Sequence, residues 1–203
     1  MLSKSSLAIK ISKLKKFEDP NVKLEQYPTD SEIAADVLWK AYMNKDIEGK
    51  TIVDLGCGTG VLGLGCLLLG AKSVAFIDKD EKALEICKKN VEENFDGSNY
   101  TILKVDIDDV QFTTDIVVMN PPFGSQNKHA DKAFLKKAMI SPVVYSFHMS
   151  ETKSFVDKFA KENNFEVTHY WDYQFPLKKT MDFHKEKIKR IDVGVWRFEQ
   201  KHI

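Results

Sequence analysis

Thr51-Ile-Val-Asp-Leu-Gly-Cys-Gly-Thr-Gly60 is a short apolar run that breaks into alternate glycines. The run reads as a buried strand of a parallel sheet, because neither face needs to be polar when helices cover both. The glycines at 56, 58 and 60 let the backbone take up positive φ and approach a ligand closely. The apolar stretch that follows, Val61 to Ala71, predicts a helix over 60–69. A strand, a glycine loop and a helix in that order open a doubly wound α/β fold, with the polar part of a ligand held by loop and helix amides.

Working outward, the segment 73–77 reads as the second strand, and Asp78 stands at its end, 22 positions after Gly56. An acid at that place in a doubly wound sheet accepts from ribose hydroxyls. Segment 100–105 reads as a third strand. Asp106 follows it and can accept from an adenine amino group, with the Ile107 amide facing a ring nitrogen. The carboxyl ends of neighbouring strands then converge on one crevice. Its loop side is Asp54, Gly56, Gly58, Thr59, Gly60 and Val61. A second reading competes here. Gly58-Thr-Gly-Val-Leu-Gly63 also spells the dinucleotide fingerprint, with Asp78 about 20 residues on. Against it, no His or Tyr-Lys pair suited to hydride transfer stands out.

The fourth strand separates the two readings. Asp115-Ile-Val-Val-Met119 is apolar and runs into Asn120-Pro121-Pro122-Phe123. An exocyclic amine is a poor nucleophile, because its lone pair is delocalised into the ring. Two acceptors aimed at its hydrogens localise that pair. The Asn120 side-chain oxygen and the Pro121 carbonyl can be those acceptors. The two prolines fix φ and stiffen the loop before a substrate arrives. Phe123 offers a flat face on which a base can stack. A plain Pro-Pro turn would end a strand equally well, but it has no reason to lie downstream of a glycine loop.

The remaining pattern alternates strand and helix. A basic amphipathic helix is expected over 3–17, and a loop over 20–30. Thr29-x-x-Glu32 reads as a capping box that opens a helix to about Lys45. Further helices are expected at 80–93, 131–140 and 151–163, and further strands at 143–148, 165–173 and 191–198. The basic segment 174–190 joins the last two strands without clear periodicity. With no linker or repeat, 203 residues read as one domain.

Thirty basic and thirty acidic residues cancel, so bulk charge names no partner. The distribution is uneven. Residues 1–24 carry six Lys against two acids, and 175–203 carry eight Lys or Arg against four, each a net of +4. Residues 78–120 carry eleven acids and five Lys, a net of −6. Basic termini around a pocket mouth suit a polyanion, although solvated helix faces give the same count. Cys57, Cys66 and Cys87 form no C-x-x-C pair, which points to a reducing compartment and away from zinc. No histidine cluster suggests a metal, and His148 reads as a core or supporting residue. No apolar stretch reaches membrane-spanning length, and the N-terminal apolar residues are interleaved with lysines, unlike a signal peptide. A cytoplasmic protein without membrane contact is expected.

Leu24-Glu-Gln-Tyr-Pro-Thr29, Asp54 to Gly60, Met119-Asn-Pro-Pro-Phe-Gly124, Ala133-Phe-Leu-Lys136, Val144-Tyr-Ser-Phe-His148 and Phe183-His-Lys185 stand in the order of the methyltransferase-like protein 5 family. The chain resembles that family over nearly its whole length. The glycine loop and Asn-Pro-Pro-Phe are shared by many methyltransferases, whereas the first and last segments are more specific. The resemblance implies a class I, Rossmann-like fold of seven strands in the order 3-2-1-4-5-7-6, with the last strand reversed. It implies S-adenosyl-L-methionine as cofactor and N6 of an adenosine in small-subunit ribosomal RNA as the methyl acceptor. Cofactor contacts carry over to Gln26, Thr29, Gly56, Thr59, Val61, Asp78, Asp106 and Ile107, with Tyr27 as a lid or a packed aromatic. Thr59 departs from the Cys of the human-type loop, and Gly124-Ser-Gln-Asn127 departs in detail after the motif.

Lys178, Lys179, Lys185 and Lys187, with His184, are the expected RNA contacts. Trp171, Tyr173 and Phe175 are expected in core and rim. Asp108 and Asp109 read as a solvated turn. Protein glutamine-N5 and guanine-N2 methyl transfer remain alternatives, as does a cofactor-bound scaffold without turnover. The family also implies a small zinc-ribbon activator protein, docked by strand addition on the third strand. That strand, Tyr100 to Val105, is apolar on both faces apart from Lys104.

Overall fold

The run at 51–55 lies at the centre of a seven-stranded sheet. In the computed structural model, which describes residues 2–17, 29–123, 130–177 and 189–201, Thr51–Leu55 forms β1. It pairs in parallel with β2 (Ser73–Asp78) and β4 (Ile116–Met119). β3 (Tyr100–Lys104) adds beyond β2, and β5 (Val143–Met149) adds beyond β4, both parallel. β7 (Lys189–Gln200) runs antiparallel between β5 and β6 (Phe165–Leu177). The order is β3-β2-β1-β4-β5-β7-β6, as the family resemblance implies.

Strand alternation sorts the core into two clusters. Ile52, Ile116 and Val118 share one with Leu7 and Ile11 of α1 (Lys4–Ser12), Ile33 and Leu38 of α2 (Ser31–Met43), Leu62 of α3 (Val61–Leu68) and Val91 of α4 (Glu81–Asn94). Val53, Val117 and Met119 share the other with Leu135 of α5 (Ala130–Ala138) and Val156 and Phe159 of α6 (Lys153–Glu162). The period of two in β4 has a functional consequence. Val118 faces α2, Met119 faces α5, and Asn120 is therefore delivered to the α2 side. Among the described residues no helix is long and apolar enough to cross a membrane.

Four expectations need correction. The first helix ends at Ser12 rather than continuing to 17, and Lys13–Phe17 runs on without helical structure. The capping box at Thr29 does not form. Asp30 is the cap of α2, its carboxylate accepting from the Glu32 and Ile33 amides at 3.0 and 3.1 Å, so Thr29 is left for another partner. A turn of 3-10 helix, Ser150–Thr152, precedes α6. The last two strands are longer than expected and take in both ends of the 174–190 segment. Four pairs, Gln174↔Asp192 through Leu177↔Lys189, continue past the level of Met149, where β5 ends. That ribbon projects beyond the carboxyl ends of β4 and β5, because β6 runs parallel to them.

A buried ion cluster ties β5 and β7 to the segment after α2. Arg197 on β7 donates to Asp46, just after α2, at 2.7 Å, and Tyr145 on β5 donates to the same carboxylate at 2.6 Å. Burial and the Asp46 hydrogen bond both push the Tyr145 phenol well above its ordinary value. Losing Arg197 would strand the buried Asp46 carboxylate, at a cost of about 3–5 kcal/mol.

Candidate active site

β1 ends beneath a loop whose glycines take φ of +72° (Gly56), +52° (Gly58) and +84° (Gly60). Gly60 shows why that residue type is needed. A side chain there would be strained by the left-handed backbone and would meet the Cys87 sulfur at 2.6 Å. As the residue preceding α3, Gly60 has no side chain to cap the helix. Asp54 supplies the missing group from β1, its carboxylate accepting from the Gly63 amide at 2.7 Å. Burial pushes the Asp54 carboxyl up to about 7, against the pull of that hydrogen bond. Asp54 therefore holds up the loop from below, where only 1% of its surface is accessible.

Asp78 closes the loop from β2. One carboxylate oxygen accepts from the Gly58 amide at 2.8 Å and the other from Asp80 at 2.9 Å. Burial raises its carboxyl above the ordinary value, opposed by backbone hydrogen bonds. A carboxylate has acceptor capacity beyond these bonds. The Gly56 and Cys57 amides donate to Ile77 at 2.8 and 3.0 Å, which fixes the loop against β2. Asp106 follows β3 on the same rim, with Lys79 3.6 Å away, and Ile107 begins the turn that continues through the exposed Asp108 and Asp109. Thr59 is buried inside the loop, and Val61 begins α3.

On the neighbouring strand end the polarity is arranged differently. Asn120 donates from its amide nitrogen to the Thr29 hydroxyl at 3.1 Å. Its side-chain oxygen is buried and has no hydrogen-bond partner among the described residues. An unpaired buried acceptor costs about 1–3 kcal/mol, which leaves the Asn120 oxygen ready to accept from an N–H or O–H donor. Pro121 is buried, and Pro122 and Phe123 are half-buried, with Phe123 packed on the α2-side core. Thr29 thus lies at the site without capping a helix.

Gln26 and Tyr27, and all five expected RNA contacts (Lys178, Lys179, His184, Lys185 and Lys187), lie outside the described residues. His148 is a core residue, 1% accessible. Its Nε2 is 2.7 Å from the Ser146 hydroxyl, and its Nδ1, 3.9 Å from the Asp131 carboxylate, has no hydrogen-bond partner among the described residues. Burial lowers it to about 3, so the ring is neutral. Phe175 is fully buried, and Trp171 and Tyr173 are half-buried beneath Lys40, whose ammonium lies 5.2 Å from each ring.

Two residues at the site escaped the sequence reading. Asn90 of α4 is buried and touches the Thr59 carbonyl and the Lys15 backbone. Phe17 lies over Gly58. The first had a signal. Leu84, Cys87 and Val91 mark the buried face of α4, and Asn90 is the polar residue set on that face.

A glycine loop with acidic strand ends beside Asn-Pro-Pro-Phe, on this strand order, defines a class I methyltransferase of the kind that uses S-adenosylmethionine. Residues 29–142 match the family model of the methyltransferase small domain. The rRNA N(6)-adenosine-methyltransferase METTL5 of Danio rerio is 36% identical over 190 residues, covering 90% of this chain and 91% of that protein. A crystal structure of a candidate RNA methyltransferase from Pyrococcus horikoshii superposes with a TM-score of 0.91 at 46% identity, covering 98% of each chain. Magnesium protoporphyrin IX methyltransferase from Synechocystis PCC 6803, solved with bound S-adenosylmethionine, shares the fold at a TM-score of 0.66 and 14% identity, over 84% of this chain and 79% of that one. The chain belongs to the methyltransferase small domain family, among the relatives that include the METTL5 rRNA methyltransferases.

Proposed function

We propose that this chain transfers a methyl group from S-adenosylmethionine to N6 of an adenosine displaced from its stack in small-subunit ribosomal RNA. The observation that carries the reading is the buried, unpaired oxygen of Asn120 beside a glycine loop with acidic strand ends. The residues fit the cofactor. Asp78 and Asp106 are acceptors for hydroxyl and amino hydrogens, and the open glycine backbone admits a close ligand. When bound, the cofactor supplies a methyl group already activated on a sulfonium.

The chain's own work is then positioning and charge stabilisation. The Asn120 side-chain oxygen accepts a hydrogen bond from one amine hydrogen, and the Pro121 carbonyl accepts one from the other. Thr29 accepts from the Asn120 amide nitrogen and so fixes which end of the side chain faces the amine. As the amine attacks, positive charge grows on nitrogen, and the two acceptors stabilise it in a site with little water. Phe123 gives the base a face to stack on. The methylated nitrogen would carry one proton too many; an aminium of this kind is strongly acidic and gives that proton up to water, so no strongly basic side chain is required.

Three features support RNA as the substrate. Relatives named as rRNA N6-adenosine methyltransferases cover most of the chain. The ribbon of β6 and β7 projects on the side of the sheet where Asn120 lies. The sequence between its ends holds Lys178, Lys179, Lys185 and Lys187 with His184, a charge pattern suited to phosphate. A protein partner fits the opposite edge. β3 is an edge strand, with Thr101, Leu103 and Lys104 exposed and Leu103 39% accessible. An edge of this kind accepts an added strand, as from a small zinc-ribbon activator.

Mass-spectrometric mapping of methylated nucleosides after incubation with unmodified ribosomal RNA tests the substrate. N6-methyladenosine at one position of small-subunit RNA is the expected product. N2-methylguanosine, or transfer only to a protein glutamine, would replace the reading.

A further inference from the structure

The structure assigns a part of the cofactor pocket to the N-terminal strap Lys13–Phe17: we propose that Phe17 forms the wall of the pocket over Gly58, and that Asn90 is the positioning residue that holds strap and glycine loop together. The proposal rests on the reading that the cofactor sits on the Gly56–Gly60 loop.

The strap leaves α1 at Ser12, although its own sequence continues a helical pattern of lysines and apolar residues. Leu14 is buried in the α2-side core and anchors it. One residue on, the Lys15 backbone is gripped at both polar atoms by a single side chain. The Lys15 amide donates to Asn90 Oδ1 at 2.8 Å, and Asn90 Nδ2 donates to the Lys15 carbonyl at 3.0 Å. The same nitrogen donates to the Thr59 carbonyl at 2.9 Å, inside the glycine loop. Asn90 is 1% accessible, so its amide has no exchange with water to compete with these bonds. The Lys15 ammonium also pairs with Glu93 one turn further along α4.

This grip fixes where Phe17 goes. Its neighbours Lys15 and Lys16 are exposed, while Phe17 is half-buried. It is not among the side chains packed on either core cluster. What it does meet is Gly58. A Cβ placed on that glycine would lie 3.1 Å from Phe17 Cζ. An aromatic ring outside both cores, held two residues from a buried three-bond clamp and lying on a left-handed glycine next to Asp78, is suited to walling off the ribose end of the cofactor with an apolar surface. Sequence carries little sign of this, because nothing in Lys15-Lys-Phe17 distinguishes a wall from a helix end.

The test uses the full chain, S-adenosylhomocysteine as calorimetric probe, and methyl transfer kinetics. Phe17→Ala should weaken the probe roughly three- to tenfold, the range of one lost aromatic contact. Phe17→Tyr should restore affinity. The KM for S-adenosylmethionine should rise, with kcat at saturating cofactor and the KM for RNA unchanged, and the unfolding temperature of the ligand-free protein should stay the same. Asn90→Ala should reproduce the same KM shift. If Asn90→Ala lowers stability with affinity intact, its positioning role is overturned. Should that variant fail to fold, hydrogen exchange in the wild type substitutes for it: the probe should slow exchange of the Lys15 amide, and no change would overturn the coupling. Asp78→Ala separates the two levels of the argument. If it loses affinity while Phe17→Ala does not, the wall is refuted and the loop reading stands. If both bind like wild type, the loop reading itself fails.

Discussion

The two halves of the crevice are built on opposite principles. At the end of β1 and β2 every buried carboxylate already has protein partners: Asp54 holds Gly63, and Asp78 holds Gly58 and Asp80. At the end of β4 the Asn120 oxygen is buried and has none. The first half is a scaffold that keeps its shape without a ligand. The second keeps an unmet acceptor, stiffened by two prolines, where the proposed mechanism holds an amine. Preorganised acceptors of this kind cost stability in the free protein and contribute to rate only when charge develops. Neighbouring strands of one sheet therefore divide the work, one holding a shape and the other holding an unfilled bond.

The sharpest way to break the comparison is at Asn120. Asn120→Ala should lower methyl transfer by roughly a hundred- to a thousandfold, with cofactor affinity unchanged. Tritium transfer to RNA, measured beside calorimetry on the same preparation, checks both. Asp78→Ala should do the reverse. Cofactor affinity should fall roughly tenfold to a hundredfold through loss of charge-assisted hydrogen bonds, and transfer should recover at saturating cofactor.

Acid and base titration sharpen the contrast within the core. Burial lifts Asp54 from 3.8 to about 7. Between those values the folded state keeps a proton that the unfolded chain has released, so this contribution is full at low pH and is lost as pH rises toward 7. Burial lowers His148 from 6.5 to about 3. The unfolded chain takes up a proton below 6.5 that the folded state refuses, so this contribution is full above 6.5 and is lost as pH falls toward 3. The slopes oppose each other between about pH 4 and 6.5, each limited to about 1.4 kcal/mol per pH unit. Urea midpoints across that range should fall more steeply on acidification in Asp54→Asn than in wild type, and less steeply in His148→Gln. Parallel curves for all three would refute both assignments.

The smallest effect belongs to Thr29. Thr29→Val removes the acceptor that orients Asn120. It should lower kcat severalfold, about the loss of one neutral hydrogen bond, with little change in cofactor affinity, and Thr29→Ser should recover it. Rapid single-turnover kinetics would detect the difference.

The sequence made much of this visible, for identifiable reasons. Apolar runs of four to seven residues marked the parallel strands because both their faces are buried. Asn120 was legible because two prolines after a strand are rare without a purpose. The place of Asp78 followed from the strand end. Thr29 was misread because Asp30 beside it is an equally good cap, and only the fold decides which of the two turns toward α2. The end of α1 at Ser12 was hidden because the clamp on Lys15 comes from a residue 75 positions away. Long-range hydrogen bonds of that kind leave no local periodicity. The length of the ribbon was hidden too, since the basic residues of 174–190 mask the register that pairs Phe175 with Ile191.

Ligand-free thermal unfolding of Asp54→Leu and Asn120→Leu, measured side by side, tests the division between the two halves most directly. Asp54→Leu should lose several degrees, because the Gly63 amide is left buried without its acceptor at a cost of about 1–3 kcal/mol. Asn120→Leu removes an acceptor that had no partner along with one hydrogen bond to Thr29, effects of opposite sign, and should unfold close to the wild-type temperature while losing methyl transfer. Equal losses in the two variants would contradict the account.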